Sequence, residues 1–576
     1  MSELVEERVV TAISHDQIAA PGSGTWVLDA SHCPRPVCRF AAPLFRSGFQ
    51  RGFGETFARY GVLLDHMDVA VIRGFIYNQL RVLGAPPEAV NHPPKEIFDQ
   101  ILAGSPPHQE RLATADLVWA TRRWREDLER WDTLEKPARA ARRDALDAVD
   151  LASLSDEELL EHLAICRDEV IEGWYVHHRY NGAALLPVGD YVVHALGWTG
   201  CSPSDLLMAL AGTSPVSSGG GPELAALAAA VRTDPGAQAL ATAERDPAEI
   251  IDALAGWGGA VGAAFAAYER VVRFLAIEGE DSIGMPCTIE EPELMVSRLR
   301  AALAAPAVDP AQTAAQAACA AIREAVPPEH RAEFDDLLTE ARLLYRMRDE
   351  RAVHGDRAVG AVTRRALLEV GRRLVQRQLL DAPDHAVDLD YDEAAALLRD
   401  GVGPDPAEVA RRVFWRLSAD YRELPPIFGE VPGPPLPAEW LPPAAARIHV
   451  AFGFAIDAVL GDVGPTAAVE DGVVRGMPVG GGVREGIAKV LRGADDLDRI
   501  EPGDVLVTTS TGPAFNLVLP MLAGLVTDRG GLLSHAAIVA REFALPAVVG
   551  CAIATLSIPD GARVRIDGDA GTVTLL

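Results

Sequence analysis

Apolar positions recur at helical spacing through most of the first 424 residues. Leu159, Leu163, Cys166, Val170 and Trp174 step by three or four along one stripe, and Ser155-Asp-Glu-Glu158 ahead of them is a capping box. Together they predict a helix running to about Tyr180, whose stripe continues onto His177 or His178. A second helix is expected over about Glu333–His354, with Leu337, Ala341, Leu344 and then Arg348 on one face. A third, rich in arginine, spans about Thr363–Leu380 and stops before Asp381-Ala-Pro-Asp384. Ser214–Pro222 and Arg323–Pro328 read as breaks between helices. Pro21–Phe40 holds Trp26, His32, Pro34 and Pro36, too much proline for regular structure, and is expected as an extended arm packed on the bundle.

The pattern changes near residue 425. Pro425, Pro426, Pro432, Pro434, Pro435, Pro437, Pro442 and Pro443 are expected to form a semi-rigid linker over 425–466. Beyond it come short apolar runs divided by glycine: Ile487–Leu491, Asp504–Thr508, Gly524–Thr527, Ala547–Val549, Arg563–Ile566 and Thr572–Leu575. One helix, His535–Phe543, lies among them. The expected architecture is therefore multidomain, α followed by α/β. A large all-helical domain occupies 1–424, and a small β/β/α domain occupies 467–576.

Composition narrows the function. Of 576 residues, 82 are acidic and 53 basic, a formal net charge of −29, which argues against nucleic acid or an anionic membrane as partner. The only lysines are Lys95, Lys136 and Lys489, and none follows a glycine, so the chain has no glycine-rich phosphate loop of the G-x-x-x-x-G-K type. Seven scattered cysteines without a C-x-x-C pair make a disulfide framework or a structural zinc site unexpected, and no metal site is foreseen. Met1–Ala20 lacks the apolar core of a signal peptide, and charged Glu269, Arg270 and Arg273 interrupt Trp257–Ile277, so a cytoplasmic chain is expected.

Candidate chemistry concentrates in Thr527–Gly550, TDRGGLLSHAAIVAREFALPAVVG. A strand ends at Thr527, Gly530 and Gly531 allow a tight turn, and Ser534 caps a helix that begins with His535. Free backbone N–H groups and the positive end of the helix dipole point outward there, which favours an anion held on the ring. That is the setting for a neutral imidazole that attacks phosphorus and then carries the phosphoryl group. From position alone, a histidine that merely starts a helix fits equally well.

The full string closely resembles the phosphohistidine, or swivelling, domain of the phosphoenolpyruvate-utilising family. Pro502-Gly-Asp-Val-Leu-Val507 and Ile566-Asp-Gly-Asp-Ala-Gly571 fit its flanks. The resemblance covers about the last 110 residues. It implies that His535 is phosphorylated and that Gly530, Gly531, Ser534 and Arg541 shape and support the site. More weakly, Gly24–Pro36, Arg372–Val375, Asp381–Asp384 and Tyr391–Glu393 resemble the acceptor-binding domain of rifampin-phosphotransferase-like and phenylphosphate-synthase-like proteins. By that match Arg348 and Asp349 fall where the family has an Arg-Glu pair facing the phosphoryl group. The family's next basic residue falls at Ala352, leaving Arg351 or His354 as substitutes.

No (β/α)8 barrel is expected after the histidine domain, and no nucleotide-binding signature is seen before the linker. The split phenylphosphate synthase and cresol-phosphorylating enzymes are thus the nearest analogy. The expectation is a phosphotransferase component of dikinase type that acts only with an ATP-grasp partner, which supplies ATP and Mg2+; no cofactor is expected on this chain. The acceptor would be a hydroxyl, phenolic by this analogy, giving an aryl phosphate. His32, His177 and His178 are candidate acceptor-site residues, although a satisfied core histidine explains the latter two as well. Arg348 serves either as a structural ion-pair partner or as the cation gripping the phosphoryl oxygens. An antibiotic or other alcohol as acceptor, a ligase component, and a non-catalytic phosphocarrier remain open alternatives.

Overall fold

A computed structural model of the chain describes residues 18–214, 221–276, 281–304, 310–461, 472–491, 497, 499–512, 515–516 and 518–576, with side chains 310–312 left aside. Most of the expected loop at Ser214–Pro222, the first seventeen residues, and the junction between the expected linker and the last domain lie outside them.

The N-terminal region is mostly helical and forms around one long pair. The helix Asp156–Arg179 opens with the expected capping box: Ser155 Oγ accepts from Glu158 N, and the Glu158 carboxylate accepts from Ser155 N. Its stripe from Leu159 to Trp174 is buried throughout. The helix Phe45–Tyr60 crosses it with almost no gap, because Gly48 and Gly52 face it: a Cβ on Gly48 would lie 2.6 Å from Ile171 O, and one on Gly52 2.6 Å from Tyr175 O. That close crossing sets Phe45, Phe49 and Phe53 against Trp174 and His178.

Three expectations need correction. The N-terminal region is not all helical. It carries an antiparallel sheet in the order β2 (Leu64–Ile72), β3 (Phe75–Val82), β1 (Trp26–Leu28), β4 (Ile427–Phe428). The Pro21–Phe40 arm therefore contributes a central strand, since Trp26–Leu28 itself is free of proline and its N–H groups can pair. The proline-rich stretch expected as a linker holds β4 and the helix Pro443–Leu460, which packs along Asn181–Trp198 and buries Ile448, Ala451, Phe452 and Ala455. Pro443 sits at the first helical position, where a missing N–H is harmless, so the prolines start this helix and do not forbid it. By length and composition it is also the one single helix among the described residues apolar enough to cross a membrane.

The expected helix over Glu333–His354 is broken. Arg331–Leu344 is followed by Met347–Ala352, a wider π-type turn at Val353–Arg357, and then Ala358–Gln376. The C-terminal domain is a mixed sheet with strand order β5 (Val473–Arg475), β12 (Thr572–Leu575), β11 (Arg563–Asp567), β7 (Val483–Leu491), β8 (Val505–Thr508), β9 (Gly524–Thr527), β10 (Ala547–Val549), β6 (Met477–Gly480). Strands β7 to β10 are parallel and their flanks antiparallel. Strands β8, β9 and β10 are wholly buried, which is why each reads as an unbroken apolar run. The helix His535–Glu542 follows β9 as expected.

The sheet domain is docked on the helical one. Leu533 and Ile538 enter an apolar cluster with Val188, Tyr191, Phe334 and Leu337. Leu533 N donates to Ala458 O at 2.6 Å, and Gly212 N donates to the Glu542 carboxylate.

Candidate active site

Strand β9 delivers the chain to Asp528 and Arg529, and Gly530 then turns it at φ +104°, a conformation that disfavours any side chain. Gly531 is needed for another reason. A Cβ there would lie 2.3 Å from Ala458 O, so its lack of a side chain lets the loop seat on the end of the Pro443–Leu460 helix. Ser534 Oγ accepts from Ala537 N at 3.4 Å and caps the helix, leaving His535 as the first helical residue. His535 Nδ1 and Thr511 Oγ1 share a hydrogen bond of 3.0 Å. Thr511 lies just beyond β8, so two neighbouring parallel strands fix the ring, and Nε2 is the nitrogen opposite this contact.

His535, Thr511, Ser534 and Gly530 form one end of a cavity of about 1510 Å³ between the domains. Phe45, Phe49, Phe53, Trp174 and Phe452 give the same cavity an aromatic lining, and His32, His177, His178, Arg348 and Arg351 stand on its wall. Three chain-distant groups of candidates thus meet in one space.

Arg348 donates to Asp349 at 2.9 Å, and Asp349 also accepts from Ser214 Oγ. Arg351 is buried and donates to His177 O at 2.7 Å and to Asn181 Oδ1. His177 Nδ1 lies 2.7 Å from Asp356, a carboxylate with 2 % relative exposure. His178 is buried between Phe49 and Phe53, at ring-centroid distances of 4.0 and 4.4 Å. Burial pushes its pKa well below the ordinary histidine value, and the nearby His177, Arg351 and His32 push the same way. His32 Nδ1 lies 3.0 and 3.1 Å from the two oxygens of Asp29, which also accepts from Asn78 Nδ2. Burial would raise the Asp29 carboxyl, but the His32 and Asn78 partners outweigh it and hold it below the usual range.

Two candidates fall elsewhere. His354 is absent from the cavity wall, and its ring sits edge-on to Trp131 at 6.4 Å. It follows Arg351 by three residues, a same-face spacing in a regular helix, but it belongs to the π-type turn, which resets the face. Arg541 lies six residues beyond His535, on the far side of the short helix. It donates to Leu532 O at 2.7 Å and to Ser204 Oγ at 3.4 Å, so it braces the loop and touches the helical domain without lining the cavity. Thr511, Asp29 and Asp356 were not anticipated. Asp29 precedes His32 by three residues, a spacing visible in the sequence; the other two are brought in only by the fold. Among the described residues no cluster of three or more His, Cys, Asp or Glu is arranged to hold a metal ion.

Residues 500–571 match the family described as PEP-utilising enzyme, mobile domain. Rifampicin phosphotransferase of Streptomyces sviceus is 46% identical over 108 residues, 19% of this chain and 12% of that protein. An uncharacterized protein of Mycobacterium tuberculosis is 30% identical over 440 residues, 74% of this chain and 43% of its own length. The uncharacterized phosphotransferase YvkC of Bacillus subtilis is 29% identical over 250 residues, 43% of this chain and 28% of that one. The chain thus spans less than half the length of these curated relatives. The domain that carries His535 matches the mobile, phosphohistidine-type domain of PEP-utilising enzymes, joined here to a large, mostly helical region.

Proposed function

We propose that this chain is the carrier and acceptor component of an ATP-dependent phosphotransferase of dikinase type. His535 Nε2 takes a phosphoryl group from ATP bound with Mg2+ on a separate ATP-grasp partner in the cytoplasm. The mobile domain then docks, and an acceptor oxygen attacks the phosphorus. The P–N bond breaks with its electron pair returning to the ring, and a phosphate ester leaves. Arg348 neutralises the transferring oxygens, because a guanidinium on the cavity wall suits a charge that passes between two partners. The observation that carries this reading is that His535 and an aromatic-lined pocket open into a single cavity. A bare phosphocarrier would have no use for such a space.

The acceptor is a hydroxyl on an apolar molecule. A phenol or cresol is compatible with the aromatic lining, but 1510 Å³ exceeds the roughly 300–1,000 Å³ of pockets that hold drug-sized ligands, so the volume favours a larger acceptor. Similarity to rifampicin phosphotransferase supports the same choice. The test is intact-mass analysis with ATP, Mg2+ and the partner subunit. The wild-type chain is expected to gain one phosphoryl group and to pass it on, whereas His535→Ala gains none while still folding. Phosphorylation or product formation by that variant would refute the assignment.

A further inference from the structure

Resting on that reading, we propose that His178 sets the specificity of the acceptor pocket: its Nε2–H donates to an oxygen of the acceptor, an oxygenated aromatic molecule that stacks among the rings around it.

The place of the hydrogen follows from a relay of three side chains. Arg351 donates to Asn181 Oδ1. A guanidinium cannot accept, so this contact fixes which end of the amide is the oxygen. Asn181 Nδ2 then faces His178 Nδ1 at 3.3 Å. An amide nitrogen only donates, so Nδ1 accepts. Burial keeps the ring neutral, with one hydrogen to place, and that hydrogen sits on Nε2.

Nothing among the described residues receives it. His178 Nε2 is buried without a hydrogen-bond partner. His354 and His385 also carry a buried ring nitrogen in that condition, but neither residue reaches the cavity, whereas His178 stands on its wall. The charges that bear on His178 include those of His177, Arg351 and His32, which line the same cavity. The donor thus lies where the candidate acceptor residues gather.

Its surroundings are aromatic. Phe49 and Phe53 have ring centroids 4.0 and 4.4 Å from the imidazole, and Trp174 lies 6.0 Å away, parallel to within 10°. None of these side chains offers an oxygen. A stranded buried donor destabilises the fold, and a ligand oxygen removes that loss. Phe49 and Phe53 shelter Nε2 from water; a turn of either ring admits a flat molecule, which stacks in its place and brings its oxygen to the N–H. A hydrocarbon of the same shape gains the stacking alone and leaves the donor stranded, so the pocket selects oxygen on an aromatic frame.

Equilibrium dialysis of the full-length, unphosphorylated chain with 1-naphthol and with naphthalene tests this without ATP or a partner. The wild-type chain is expected to bind naphthol about tenfold more tightly than naphthalene, whereas His178→Phe, which keeps an aromatic ring and removes the donor, should bind the two about equally. Nitrogen NMR of the histidine-labelled wild-type chain gives a reading that needs no variant. The His178 signals should show hydrogen on Nε2 and none on Nδ1, with Nε2 shifting on addition of naphthol and not of naphthalene. An unchanged preference in His178→Phe, a hydrogen on Nδ1, or a wild-type chain that binds both probes equally or neither would overturn the proposal. Phosphorylation of His535, followed by intact mass, is a separate readout. Its failure would defeat the carrier reading and leave the naphthol preference in place, whereas absence of that preference leaves His535 a carrier whose acceptor is selected by other groups.

Discussion

Gly531→Ala is the sharpest probe of the docked arrangement. Gly531 does not need a left-handed backbone, so within the mobile domain an alanine is conformationally acceptable. Its Cβ, however, would lie 2.3 Å from Ala458 O and 2.9 Å from Gly461 N, both backbone atoms of the helical domain that cannot rotate away. Relief requires the loop to lift by about an ångström, which costs about 1–3 kcal/mol for overpacking. The same shift stretches the Leu533 N to Ala458 O hydrogen bond and strands a buried N–H, at about 1–3 kcal/mol more. A central value of about 4 kcal/mol corresponds to nearly a thousandfold loss of the docked state. In single-turnover experiments, transfer from phosphorylated His535 to acceptor should fall by about that factor, while phosphorylation of His535 by the partner changes little. Hydrogen exchange at Leu533 should rise in parallel. An unchanged transfer rate would refute the view that this docked geometry is the transferring one. Gly530→Ala should instead impair both steps, because φ +104° belongs to the loop itself.

His354 makes stability depend on pH. Burial, with Lys136 and Arg143 nearby, lowers its pKa to about 4 from 6.5, so between those values the unfolded chain binds more protons and stability falls as pH falls. That difference amounts to about 2 kcal/mol between pH 7 and pH 5, and urea midpoints of His354→Phe should lose it; an identical pH difference in the variant would count against the assignment. Glu340 accepts from Trp124 Nε1 at 2.7 Å and pairs with Arg122 and Arg125. Because both arginines are partly exposed, Glu340→Ala should cost about 2–3 kcal/mol, mostly from the stranded indole N–H, as read by urea unfolding.

The mobile domain was legible in the sequence because its central strands are buried on both faces and its turns are marked by glycine. Strands β9, β10 and β12 fall on their expected bounds, and the helix at His535 starts where Ser534 forecast it. The helical region was legible where one face is apolar, as along Leu159–Trp174. It was obscure where prolines stood at helix starts, as at Pro443, and where a strand as short as Trp26–Leu28 owes its existence to partners fifty and four hundred residues away. The site divides likewise. His535 was legible through its capped loop, whereas Thr511 and Asp356 carry no local signal and matter only because the fold sets them against an imidazole.

Under the proposed cycle, the docked state must be stable enough to form and weak enough to release His535 to a distant nucleotide. The apolar part of the interface is of suitable size. Leu533 and Ile538 are buried in the shared cluster, and at about 1.5–3 kcal/mol per side chain they favour docking by roughly 3–6 kcal/mol. Arg541, the residue expected to support the phosphohistidine, stands at the same seam. It donates to Leu532 O in its own loop and to Ser204 Oγ of the helical domain, its Nε has no partner among the described residues, and burial lowers its pKa to about 10 from 12.5. Release of the domain under the proposed cycle would break the Ser204 bond and leave the Leu532 one, so the brace on the His535 loop travels with the domain.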